Sequence, residues 1–186
     1  MAFKIPEGKE LRVAISGKSG CGNTTVSTLL AKTLGVDIIN FTFRQLAAEK
    51  GITLADVIER AKTDDSWDIA VDTRQVEMAK KTSCVLGSRL AIWMLKEADF
   101  KVYLDASDDV RANRILNREG GDLEEIKAFT RMRDTQDSGR YMRLYKIDNN
   151  DKSQADLIID TSKYLPEQIV ALITDELVKR GLLVKA

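Results

Sequence analysis

The sequence predicts an α/β fold in which helices cover both faces of a parallel sheet of five strands. Short apolar runs alternate with helical patterns along the chain, and a glycine-dense turn joins the first run to the first helix. The only two prolines, Pro6 and Pro166, lie outside the runs. Because parallel strands need crossover connections, which helices usually supply, the alternation indicates one sheet with helices on both sides.

The start of the chain is typical of a strand, a turn, a helix and a second strand. After a polar lead-in, residues 11–16 form the first strand, residues 17–22 the glycine-dense turn, and residues 24–34 a helix with one apolar face. Gly35 follows where helices often end in a left-handed glycine. Residues 36–41 are then predicted to form a mostly buried second strand.

The rest of the chain adds helices and three more strands. Helical patterns without any strand-like run cover 43–50, 54–62 and 67–81. The remaining strands are predicted at 83–86, 100–104 and 156–159. Further helices are predicted at 91–95, from Ser107 to near Gly120, at 123–145 and at 165–180.

The composition excludes several classes of function. The 186 residues fit one domain, which buries about 70% of the surface that its unfolded chain exposes. Since the chain has no histidine, it cannot use Ser-His-Asp or Cys-His catalysis or a histidine-bound zinc. Two cysteines do not build a disulfide framework, and 29 basic residues balance 29 acidic ones. We expect a monomeric cytoplasmic protein with no nucleic-acid or membrane partner.

The glycine-dense turn predicts a phosphate-binding loop. Gly17 and Gly22 stand five positions apart between a strand and a helix, so that successive backbone N–H groups and the helix N-terminus can face one anion. The alternative is a turn that uses glycine for geometry alone. The predicted ATP-binding residues of the loop are Gly17, Lys18, Ser19, Gly20, Cys21, Gly22, Asn23, Thr24 and Thr25.

One position of the loop departs from the ordinary pattern. Asn23 stands where such loops carry the lysine that reaches the β and γ phosphates. Thr24 keeps the hydroxyl position that binds Mg²⁺, and Lys18 places a cation at the front of the loop. Charge that stabilises the transition state must come from Lys18, from arginines elsewhere, or not at all, and Lys18 is the predicted catalytic cation of the loop. Cys21 sits at a helix N-terminus, where a thiol pKa can fall, but we favour the interpretation that it is a small residue tolerated there.

Arginines are concentrated in two kinds of place. Arg133, Asp137 and Arg140 lie at i, i+4 and i+7 of the long helix, so they share a face that can bind phosphate. The alternative is a solvated helix stabilised by ion pairs. Arg44 and Arg89 follow strands, where α/β sheets bind ligands. Arg74 could join them or form an ion pair within its own helix.

On these motifs the sequence resembles a nucleoside monophosphate kinase, most closely the short cytidylate kinases of the archaeal-like type. The likeness covers nearly the whole chain and includes the phosphate loop and the motifs at 43–47, 72–75, 89–94 and 131–145. It implies a three-layer P-loop NTPase fold with a helical insert that binds the nucleoside monophosphate (NMP) and a helical lid. The implied ranges are a core of 10–42, 82–117 and 146–186, an insert of 43–81 and a lid of 118–145.

The resemblance also implies an activity and a set of site residues. Such a kinase transfers the γ-phosphoryl group of ATP to CMP or dCMP with Mg²⁺ bound, and the base preference among CMP, dCMP and UMP stays open. Arg114 and Arg118 would belong to the lid that closes over ATP, with Arg133 and Arg140 catalytic. The implied CMP-binding residues are Arg44, Asp72, Arg74, Arg89, Arg133, Asp137 and Arg140.

Two departures keep alternatives open. Asn23 replaces the loop lysine, and Gly87 replaces an acidic residue that helps to organise the metal shell in the family. Both bear on catalysis more than on CMP binding. A nucleotide-binding regulatory protein without turnover is therefore one alternative. Another is a variant P-loop ATPase, because the nine-residue loop also resembles that of partition-type ATPases, whose characteristic lysine follows the first glycine as Lys18 does.

Overall fold

The computed structural model describes residues 3–185, and a parallel sheet lies at their centre. The order in this sheet is β3-β4-β2-β5-β6, which confirms the predicted five parallel strands. A separate antiparallel pair joins β1 to β7. The strands in chain order are β1 (Phe3–Lys4), β2 (Arg12–Gly17), β3 (Asp37–Ile39), β4 (Cys84–Gly87), β5 (Phe100–Asp105), β6 (Leu157–Asp160) and β7 (Val184–Lys185).

Helices pack on both faces of the sheet. Along β2, Val13 and Ile15 join the core beneath α1 and α8, whereas Ala14 joins the core on the opposite face, as the two-residue period of a strand requires. The helices are α1 (Asn23–Leu34), α2 (Phe43–Lys50), α3 (Leu54–Ala61), α4 (Ser66–Ala79), α5 (Ala91–Met94), α6 (Asp108–Glu119), α7 (Leu123–Tyr145) and α8 (Pro166–Lys179).

The second strand differs from its prediction. Only residues 37–39 pair with β4, and Ile38 is 40% exposed. The reason is that β3 is the edge strand of the sheet, and sheet order cannot be predicted from its own residues. Phe41 leaves the sheet and is buried instead against Leu46 and Val71, in a small core of its own within α2–α4.

The helices α2–α4, called here the helical insert, lie between β3 and β4 in the sequence and pack against one another. Threonine capping boxes at Thr42 and Thr53 fix the starts of α2 and α3, each satisfying two backbone donors. The long helix α7 follows α6 after Gly120 and Gly121 and lies opposite the insert. Over residues 3–185, no helix is both long enough and apolar enough to cross a bilayer.

Candidate active site

The loop between β2 and α1 borders the first of two clefts. Within residues 3–185, no side chain caps the first turn of α1, so its backbone N–H groups remain available to an anion. The cleft has a volume of about 340 Å³. Its walls are Gly17, Lys18, Ser19, Gly20, Gly22, Asn23, Thr24, Thr25, Gly87, Ser88, Arg89, Arg114 and Arg118.

A buried arginine on α6 supports this loop from behind. Arg111 is only 1% exposed, and its guanidinium donates to the Ser19 carbonyl at 3.1 Å and to the Asp134 carboxylate at 2.6 Å. Gly20 has a φ of +83°, and a Cβ built there would lie 2.9 Å from Arg111 Cβ. The close packing therefore requires glycine at position 20. The sequence predicted no role for Arg111, because its partners Ser19 and Asp134 lie far from it along the chain.

Arg114 fastens the other side of the loop. Its guanidinium donates to the Gly20 carbonyl at 3.2 Å, to Thr161 Oγ1 at 2.8 Å and to the Thr161 carbonyl at 2.7 Å. It lies on α6, outside the range predicted for the lid. Arg118, at the cleft mouth, is exposed and pairs with its neighbour Glu119 at 2.5 Å. Arg114 therefore shapes the cleft, whereas Arg118 can move.

Lys18 is the uncommitted cation of the loop. Among the described residues, its ammonium has no hydrogen-bond or ion-pair partner within range, and the side chain is half-buried. Lys18 borders both the cleft and an adjoining cavity of about 10 Å³, the size of one water, whose walls include Asp134 and Asp137. An unpaired ammonium at this junction can bind an anion in the cleft at little cost in broken contacts.

The two other polar side chains of interest in the loop are directed into the protein. Asn23 Nδ2 donates to the Ile15 carbonyl at 3.1 Å, so its amide lies beneath the loop. Cys21 is buried, and burial raises the pKa of its thiol. The thiol therefore stays protonated at neutral pH, which favours a packing role for Cys21.

The second cleft lies between the helical insert and α7. Its volume is about 630 Å³. Arg140 reaches from α7 between two carboxylates, Asp137 at 3.2 Å and Asp68 at 3.5 Å. The walls are Phe43, Ile58, Ala61, Lys62, Asp65, Asp68, Thr135, Gln136, Gly139, Arg140 and Arg143.

Arg89, which borders the first cleft, has a second arginine near it, Arg133 of α7. Arg89 follows β4, borders the first cleft and pairs with Asp137 of α7. Arg133 has no ion pair within the described part of the chain. Desolvation and then the positive charge of Arg89 lower the pKa of its guanidinium. Two neighbouring guanidinium groups that repel each other form a region where a bound anion would be stabilised.

Arg44 and Arg74 lie outside both clefts. Both side chains are exposed, and neither borders either cleft of the described chain. Arg74 pairs with Glu49 of α2 at 3.2 Å and lies over the Phe41 ring. The sequence suggested an ion pair between Arg74 and a residue of its own helix, α4. That suggestion is wrong, because the partner, Glu49, lies on α2.

Asp72 is an unusually weak acid for a carboxyl group. Burial raises its pKa to about 6, although the Tyr145 hydroxyl donates to the carboxylate at 2.8 Å and opposes the shift. The neighbouring carboxylate Asp68 raises the pKa further. The folded protein therefore binds a proton at Asp72 more tightly than the unfolded chain does.

Replacing this carboxyl by an amide should change the pH dependence of stability. Between about pH 4 and 6 only the folded state holds the proton, so the stability of the native protein falls as pH rises through this window. Asp72→Asn removes that fall and should raise the free energy of unfolding at pH 7 by up to about 3 kcal/mol. Urea unfolding at pH 4, 5, 6 and 7 measures the free energy of unfolding of both proteins. Asp175→Asn, which changes an exposed carboxyl, is the control. Parallel pH profiles for Asp72→Asn and the native protein would contradict the assignment.

Comparisons with known proteins point to one family. The sequence profile of the cytidylate kinase-like family matches residues 12–163. A cytidylate kinase 2 from Borreliella afzelii is 44% identical over 176 residues, which cover 92% of this chain and 99% of that protein. A cytidylate kinase from Pyrococcus abyssi is 44% identical over 171 residues, covering 91% of this chain and 94% of the relative.

Solved structures agree on the fold. Shikimate kinase from Acinetobacter baumannii, in complex with shikimate, matches 94% of this chain and 96% of its own with a TM-score of 0.66 at 18% identity. Deoxyadenosine kinase from M. mycoides with bound dATP matches 90% of this chain and 99% of its own with a TM-score of 0.55 at 15% identity. At these identities the likeness concerns the fold alone, and it confirms the predicted P-loop kinase fold.

Proposed function

This chain belongs to the cytidylate kinase-like family, and from that premise we propose that it transfers the γ-phosphoryl group of ATP to CMP or dCMP. One observation carries the proposal. Lys18 and Arg89 border the first cleft, Arg140 borders the second, and Arg89 and Arg140 both pair with Asp137, which connects the two clefts; Arg133 lies on the same helix as Arg140. Since both reactants are anions, the reaction needs positioning and charge stabilisation, and no histidine base is required.

ATP occupies the first cleft in this proposal. The uncapped first turn of α1 and the loop amides hold its phosphates, and Lys18 supplies the charge that the lysine at position 23 gives in an ordinary loop. Arg114 keeps the loop in shape, while Arg118 is free to close over the nucleotide. The mobile part of this lid begins near Arg118 and includes α7.

CMP occupies the second cleft. Arg140 and Arg89 exchange their partner Asp137 for the phosphate, and Asp137 and Asp72 are then available to the nucleoside. Arg133 adds an unpaired cation toward the transferring group. Arg44 and Arg74 are carried by the helical insert, so they reach CMP only when the insert closes on α7. Closure also expels water, which strengthens each of these charge interactions.

The site would also have to hold the Mg²⁺ ion that accompanies ATP. The described residues contain no cluster of three or more potential metal-binding carboxylates or cysteines, and position 87 has no side chain. The exposed Thr24 hydroxyl at the start of α1 fits a metal that takes most of its ligands from nucleotide phosphates and water. Thr24 is thus the residue that would hold the ion. When bound, Mg²⁺ neutralises charge on the phosphates.

The test is an ADP-release assay with CMP, dCMP, UMP, AMP or no acceptor. We expect turnover with CMP or dCMP on the scale of about 1–100 s⁻¹ that is typical of kinases. A folded protein that gives no ADP with either cytidine nucleotide contradicts the proposal. Calorimetry on the same sample then shows whether CMP or ATP still binds, which is the outcome expected of a regulatory protein without turnover.

A further inference from the structure

Both polar atoms of the Asn23 side-chain amide have hydrogen-bond partners within the protein. Its Nδ2 donates to the Ile15 carbonyl at 3.1 Å and lies 3.4 Å from the Ser88 carbonyl, while Oδ1 accepts from Ser27 Oγ at 2.8 Å. Ser27 is fully buried beneath it. A lysine could not replace this network, because its ammonium only donates and its longer side chain would leave Ser27 without an acceptor.

The second departure, Gly87, faces the same network. A Cβ built on Gly87 would lie 2.5 Å from Ser27 Oγ, 2.8 Å from Ser27 Cβ and 2.9 Å from Asn23 Oδ1. A carboxylate side chain at position 87 therefore cannot coexist with this placement of Asn23 and Ser27. The missing lysine and the missing acid are physically coupled, since the Asn23–Ser27 pair occupies the space that a residue 87 side chain would need.

The network extends toward Arg89 through the Ile15 carbonyl, which two donors share. The Ile15 carbonyl accepts from Asn23 Nδ2 and also from the Ser88 backbone N–H at 3.1 Å. Asn23 thus binds the carboxyl end of β2 and the residue after β4 together. Arg89 follows directly, and its side chain crosses to Asp137 on α7. The direction in which Arg89 leaves the sheet depends on the position of Ser88.

We infer that Asn23 is a positioning residue that, through the Ile15 and Ser88 carbonyls, aims Arg89 at the phosphate of the acceptor nucleotide. This inference rests on the proposed function, which places Arg89 at that phosphate. It predicts that Asn23→Lys lowers activity instead of restoring it, because the substitution breaks the network and a lysine at 23 has no carboxylate at 87 to complete the ordinary site.

A double-mutant cycle between Asn23 and Arg89 tests the inference. We expect Asn23→Ala to lower kcat/KM for CMP at least tenfold, with a smaller change in the KM for ATP. In the Arg89→Ala background the same substitution should change kcat/KM for CMP less than threefold. Asn113→Ala is the matched control, because its amide also donates to a backbone carbonyl, at 2.8 Å, but on an exposed helix surface.

CMP affinity measured by calorimetry on the same four proteins repeats the cycle without phosphoryl transfer. If the native protein phosphorylates CMP but the Asn23 and Arg89 substitutions act independently, the inference is overturned and the proposed function stands. Coupled CMP affinities without turnover sustain the inference while the kinase proposal fails. If Asn23→Ala does not fold, Ser27→Ala replaces it, since losing the Oδ1 partner frees the amide to rotate and should show the same coupling to Arg89.

Discussion

Lys18→Ala is expected to lower kcat for CMP phosphorylation by about 10²- to 10³-fold, the range seen when one preorganised group that stabilises transition-state charge is removed. Within residues 3–185, the Lys18 ammonium has no ion-pair or hydrogen-bond partner, and the side chain of Asn23 is held beneath the loop. No other loop residue within 17–25 carries a charge. Steady-state rates at saturating ATP and CMP measure the effect.

Two variants accompany this experiment. Lys18→Arg keeps a cation in a different shape and should retain more activity than Lys18→Ala. Lys81→Ala removes an exposed lysine in the turn after α4 and should leave kcat within about twofold. Full activity of Lys18→Ala would show that the loop needs no cation of its own, and the arginines on α7 would then have to supply the charge.

Arg111→Met is expected to destabilise the protein by about 3 kcal/mol, because it leaves the largely buried Asp134 carboxylate without its partner. The same change frees the Ser19 carbonyl, so the KM for ATP should rise as the loop loses its support. Urea unfolding measures the first effect. In a thermal scan the loss corresponds to a fall in Tm of about 6–12 °C for a domain of this size.

An exposed arginine provides the control for Arg111→Met. Arg131 pairs with Asp108 at 3.3 Å, and both side chains are about half exposed or more. Arg131→Met should therefore change the free energy of unfolding by less than about 1 kcal/mol. Equal stability losses for Arg111→Met and Arg131→Met would contradict the view that burial of the guanidinium makes Arg111 the structural support of the loop.

Local sequence patterns predicted the core elements because those elements are long enough to show them. β5 is a short apolar run and α7 a long polar helical stretch, and both were predicted within one residue at each end. The β1–β7 pair was missed because two-residue strands have no period. The exposure of β3 was missed because it depends on which strands lie beside it.

The sequence predicted where the phosphate loop lies from its glycines. It did not predict which distant residues contact that loop. Gly17 and Gly22 locate the loop because their spacing is a local requirement of the turn. In contrast, the bonds from Arg111 to Ser19 and from Arg114 to Thr161 join residues far apart in sequence. The placement of Asn23 beneath the loop likewise depends on Ser88, which follows β4 and lies far from Asn23 in sequence. Such contacts follow from the assembled sheet and not from any one segment.

The central claim is that Lys18, and not position 23, supplies the phosphate-binding cation of a working cytidylate kinase. A crystal structure with CMP, Mg²⁺ and a non-hydrolysable ATP analogue tests it most directly. We expect Lys18 Nζ to lie within about 3 Å of a β- or γ-phosphate oxygen, with the Asn23 amide still bound to the Ile15 carbonyl. A structure in which Lys18 points to solvent and the Asn23 amide binds the phosphates would contradict it.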